Sequence, residues 1–104
     1  MPRIIRRPAA KRDLVEHFVF IGETSGVEAA HRFLESANAT LEELSRMPEM
    51  GAWRRFPNPT FADVRMWRVK DFEKHLIFYR PVKDGILLLR VVHASRDIES
   101  LFRS

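Results

Sequence analysis

The segment from Leu76 to His93 reads LIFYRPVKDGILLLRVVH. Two apolar runs, rich in β-branched and aromatic residues, flank Asp84-Gly85, a dipeptide suited to a tight reversal. Such a pair commits the chain to an antiparallel ribbon, and a ribbon alone is marginal in water. The rest of the chain must supply strands beside it and helices over it.

With 104 residues there is room for one core, so residues 1–104 are expected to form a single domain. The ribbon strands are predicted over Glu73–Arg80 and Ile86–His93, with a weaker strand over Ala62–Val69 before them. Ile4 and Ile5 mark a short first strand over residues 4–6. Pro8 suits the first turn of a helix, where its missing N–H is not needed. Leu14, Phe18 and Ile21 then share one helical face, and Gly22 to Gly26 is expected to break that helix. Ser25 to Glu28 reads S-x-x-E, a capping box for a second helix. Ala30, Phe33, Leu34, Ala37, Leu41 and Leu44 keep its period, and Pro48 lies beyond its end. The two helices make an antiparallel hairpin with a joint of about four residues. Residues 48–61 (PEMGAWRRFPNPTF) read as a loop.

The order β-α-α-β-β-β implies an α+β fold, a mainly antiparallel sheet with the helical hairpin on one face and the other face partly open. Strand alternation places Leu87, Leu89 and Val91 under the helices and Arg90 on the open face, since a lone arginine does not sit unpaired in a core. Phe78 and Arg80 share one side of the preceding strand, and Ile77 and Tyr79 the other.

Composition removes several chemistries. There is no cysteine, which excludes disulfides, thiolate metal sites and thiol catalysis, and suits a reducing cytoplasm. No histidine pair has metal-ligand spacing, so neither metal nor cofactor is expected. The charged N-terminal stretch shows no secretory signal, and the apolar runs are too short to span a membrane. A net charge of +4, from 18 basic and 14 acidic side chains, suits nucleic acid and an acidic protein equally.

Among the histidines, His17 and His31 are read as solvated helix residues. His93, at a strand end beside Arg96, is either a general acid or base, or a ring bonded to local backbone or Asp97. Arg65, Arg68, Arg80, Arg90 and Arg96, with Trp67 and Tyr79 among them, have the composition of a binding face. Arg96-Asp97 reads as an ion pair or turn cap. Ile98, Leu101 and Phe102 then dock the tail.

The chain as a whole resembles the RelE/ParE toxins of bacterial toxin–antitoxin systems. The resemblance lies in RRPAAKRDL, the second-helix pattern A-x-x-F-L, L-x-x-M-P-E-M-G and HLIFYR…DGILLLRVVHASRDIESLF. The ending H-A-S-R-D is similar to that of the ParE branch. The resemblance implies a toxin that inhibits DNA gyrase by binding; Arg65, Trp67, Arg68, Arg80, Arg90 and Arg96, read from their composition as a binding face, are its partner-binding candidates. It also implies a cognate antitoxin, ParD-like with an acidic tail, in a toxin–antitoxin hetero-oligomer without membrane association. The alternative is a RelE-like, ribosome-dependent mRNA endonuclease. That branch typically has a Tyr or His acid a few residues beyond the final-strand arginine. Here that region reads Ile98-Glu99-Ser100-Leu101-Phe102. Its catalytic candidates would be His93, His75 and Arg96. A third implied role is an inactive homologue kept for its antitoxin complex.

Overall fold

The computed structural model describes residues 2–103. Strand β1 (Arg3–Arg6) is followed by helices α1 (Pro8–Ser25) and α2 (Val27–Arg46). Strand β2 (Ala52–Trp53), a 3-10 turn at Pro59–Phe61, β3 (Arg65–Val69), β4 (Phe72–Val82) and β5 (Gly85–His93) come next, and helix α3 (Ile98–Leu101) ends the chain. The sheet order is β1-β5-β4-β3-β2. β1 runs parallel to β5, and the other pairings are antiparallel. The expected α+β architecture stands.

The helical hairpin is tighter than expected. Gly22 does not break α1, which runs unbroken to Ser25. Gly26 alone joins the helices, at φ 97°, a backbone conformation that glycine tolerates best. Ser25 lies inside α1, and no side chain caps α2, so the capping box does not form. An abrupt glycine reversal replaces it.

Both strand turns follow one recipe. Val69 pairs with Phe72 across Lys70-Asp71, and Val82 pairs with Gly85 across Lys83-Asp84. The aspartates take φ 65° and 62°, which this residue type tolerates better than most. Gly85 therefore starts β5 rather than forming the turn. Its lack of a side chain serves β1, because a Cβ there would collide with the Arg3 backbone.

The layer between helices and sheet holds Phe33, Leu41 and Leu44 from α2 against Ile77, Tyr79, Ile86, Leu88 and Val91. The expected facing of β5 is half right. Val91 faces the helices, but Leu89 and the partly buried Leu87 belong to the opposite layer, while Ile86 and Leu88 take the helix side. A β-bulge explains this: Tyr79 pairs with Leu88 and Phe78 with Arg90, leaving Leu89 as the extra residue. A bulge resets the alternation that the sequence alone extends unbroken.

The second face is also more closed than expected. Phe56 from the 48–61 loop and Phe102 from the tail stack at 4.5 Å, and both pack on Phe78. Val64, Leu89 and Val92 complete a second apolar layer. The tail docks through Phe102, as expected, and Asp97 caps α3 by accepting from the Ser100 N–H. Arg54 ties the loop to α3 through Glu99 at 2.9 Å. No helix among the described residues is long and apolar enough to cross a membrane.

Candidate functional site

Helix α1 lies along β5, where β1 stops short. β1 pairs with residues 85–88 only, so the edge of β5 beyond Leu88 lacks a strand partner. Two α1 side chains fill the gap. Asp13 Oδ2 accepts from the Val91 N–H at 2.9 Å, and His17 Nε2 donates to the Val91 carbonyl at 2.8 Å. Asp13 is itself held by Arg90, Nε to Oδ2 at 2.7 Å and Nη2 to Oδ1 at 2.9 Å. The carboxylate's hydrogen bond holds the Arg90 pKa above its ordinary value.

The structure thus corrects two expectations. Arg90 is not a free residue of an open face; its guanidinium turns to α1, because the strand edge is open and a buried carboxylate waits there. His17 is half-buried and bonded rather than solvated. Both placements had a sequence signal: Asp13 and His17 precede the inward-facing Ile21 by eight and four positions, on one helical row. His31 is exposed, as expected, with an edge contact to Phe18.

Beyond Val91 the helix side of the sheet opens into a cleft of about 280 Å³ lined by His17, Phe20, His75, His93, Ser95 and Arg96. His75 on β4 and His93 on β5 are directly paired across the ladder. The His75 ring lies edge-on to His17 at 4.8 Å and to His93 at 5.1 Å. Burial, with smaller contributions from His17 and His93, lowers the His75 pKa to about 4. It is therefore neutral near pH 7. Its Nδ1 is buried without a hydrogen-bond partner. The Ser95 N–H donates to His93 Nδ1 at 3.1 Å, with Ser95 Oγ 2.9 Å from the same nitrogen. His93 is thus bonded to local backbone, one of its two expected roles, which leaves the neutral ring's proton on Nε2. Arg96 is exposed and makes no ion pair among the described residues. The cleft brings His75, His93 and Arg96 together and adds His17, which reads as solvated from the sequence, with Phe20 and Ser95, which the sequence assigns to no site.

The other arginines are separated from that cleft. Arg80 pairs with Asp63 at 2.9 Å. Arg65 donates to the Glu49 and Gly51 carbonyls, next to Tyr79, whose hydroxyl donates to the Pro48 carbonyl at 2.7 Å. Arg68 is exposed, 5.1 Å from the Trp67 ring centre. Nearby β2 exposes Trp53, with Arg55 4.4 Å from its ring centre. No group of His, Asp or Glu side chains among the described residues has the arrangement to hold a metal ion.

A family model described as the ParE toxin of the type II toxin–antitoxin system parDE matches residues 4–98. The chain belongs to that family. This toxin shares its fold with a solved structure described as the chromosomal ParDE TA system from P. aeruginosa. The likeness has a TM-score of 0.71 at 19% identity, over 89% of this chain and 96% of that one. Comparison with curated protein sequences gave no match. In the toxin, the residues singled out from sequence fall into two groups: a histidine cleft at the end of the helix–sheet layer, and arginines spread along the strands, three of them tied internally.

Proposed function

We propose that the toxin acts by binding DNA gyrase and stabilising its cleaved complex with DNA. The carrying observation is Phe102. The nuclease branch of the resemblance needs a proton donor in this region, and here Phe102 is a 2% exposed anchor of the second apolar layer. A phenyl ring cannot donate a proton, and moving it would open that layer. Arg65, Arg80 and Arg90 are held by internal acceptors and Trp67 packs against the helix–sheet core, so the exposed cationic and aromatic contact groups are Arg68, Arg96, Trp53 and Arg55. This reading places the toxin in the cytoplasm, beside gyrase and its DNA.

A ParD-like antitoxin with an acidic segment would neutralise it in a hetero-oligomer. The toxin's net charge of +4 suits such an acidic segment, as it also suits nucleic acid. An apolar contact with the partner is supported by the outer face of α1, where Val15, Val19 and Phe20 are 62%, 49% and 63% exposed. Apolar residues at that helical spacing are what an amphipathic partner segment covers.

One observation favours a second reading, a RelE-like mRNA endonuclease: His75, His93 and Arg96 share a cleft. The test is induction of the toxin, with linearised plasmid and cleaved mRNA scored in the same cells, beside purified gyrase. Gyrase-linked breaks with intact mRNA are expected. Cleaved mRNA with unaffected gyrase would replace the first reading by the second.

A further inference from the structure

The histidine cleft has the donors of an anion site and no anion-repelling group. Its lining includes no carboxylate among the described residues. Facing His75 are His17 from α1, His93 from β5, Phe33 from α2 at 4.9 Å and Phe72 of its own strand at 6.3 Å. Arg96 stands exposed at the mouth. Imidazole N–H groups and a guanidinium without a counter-carboxylate complement an oxyanion. The His75 Nδ1 is buried, so that ring meets a ligand only through the edge that lines the cleft. Phe20, 63% exposed, adds an aromatic ring where a flat apolar group would lie. A cleft of about 280 Å³ is at the lower end of the size of small-molecule sites.

We propose that this cleft binds a nucleoside monophosphate, its phosphate held by Arg96, His75 and His93 and its base laid against Phe20. The proposal does not depend on gyrase being the target. Two imidazole neighbours and burial now disfavour a charged His75. A phosphate in the cleft reverses the balance of nearby charge and favours the imidazolium. Binding therefore takes up a proton in the acid range where His75 titrates, and none near pH 7.

The test is proton NMR of the four histidine rings in the full-length toxin, titrated with inorganic phosphate, adenosine monophosphate and adenosine. Adenosine monophosphate is expected to give saturable shifts of His17, His75 and His93 but not His31. At saturation the His75 pKa should rise by about one unit or more. Phosphate alone should bind about tenfold more weakly, having no base to stack, and Arg96→Gln should weaken both about tenfold. His93→Gln tests the cleft without touching the exposed arginine, and should also weaken phosphate. Adenosine binding as well as its monophosphate overturns the proposal, as does a His75 pKa unmoved at saturation. Shifts spread equally to His31 would identify non-specific anion binding and overturn it too.

Discussion

Asp13 and Arg90, 77 positions apart, form a two-pronged ion pair that locks α1 to β5. Asp13 is nearly buried, and one of its oxygens also accepts from the Val91 backbone. The carboxylate thus fixes a helix, a side chain and the end of a sheet edge together. Replacing Asp13 by Ala leaves Arg90 and the Val91 N–H without their partner, and is expected to cost about 3 kcal/mol. The Asp13→Ala/Arg90→Ala double mutant should fall short of the sum of the single losses by about 1–3 kcal/mol, measured by urea unfolding. Additive losses would show that the two groups act separately.

Phe33 and Leu41 are fully buried between α2 and the sheet. Replacing either by Ala should cost about 3 kcal/mol in the same assay. A loss below about 0.5 kcal/mol, the scale of surface substitutions, would contradict this packing.

The tail is held by Phe102 rather than by Arg96, which has no ion-pair partner. Truncation after Asp97 should therefore destabilise the second apolar layer by about 3–5 kcal/mol, the range for losing a buried aromatic. Arg96→Ala should leave the melting temperature nearly unchanged. If gyrase binding is the mode of action, both changes should reduce toxicity, the first through folding and the second through contact. Full toxicity in both variants would remove the tail and its flank from the functional surface.

His93→Gln separates the two modes of action. An endonuclease using His93 as its acid should lose about 10²-fold or more in cleavage rate. A gyrase-binding toxin should keep its growth arrest and its trapped breaks. Loss of toxicity together with loss of mRNA cuts would decide for the nuclease.

His75 makes stability depend on pH. Its folded pKa, about 4, lies below its ordinary value of 6.5. Between these values the unfolded chain takes up a proton that the folded chain refuses, so stability falls as pH drops from 6.5 to about 4 and this loss then levels off. His75→Gln should flatten that part of the profile in thermal melts across the range. An unchanged slope would mean that other groups control it.

Much of the fold is legible in the sequence because period and turn chemistry are local. The succession of the main elements and the α2 core face follow from residues close to one another along the chain. What is not legible depends on distant partners. The bulge at Leu89 exists only in the pairing of β4 with β5, so simple alternation puts Leu87 and Leu89 on the wrong face. Arg90 looks like an open-face cation until Asp13 arrives from the other end of the chain. The resemblance pairs His75 with His93 as candidates, but only the ladder sets them side by side, and His17 joins them from a helix position that reads as solvated. Arg65 and Arg80 find their acceptors in the 48–61 loop and its continuation, where neither residue spacing nor propensity specifies a contact.

The parallel pairing of β1 with β5 also sets a timetable. Strand β1 leaves the ribosome well before its partner, which spans residues 85–88. The helical hairpin can form early from neighbouring residues, but its apolar face has no complete sheet to rest on until β5 is made. At roughly 5–20 residues per second, that delay lasts seconds. The edge cap by Asp13 and His17 on Val91 belongs to the same late event. The finished toxin surface therefore appears only once β5 has been made, and not gradually as the earlier segments emerge.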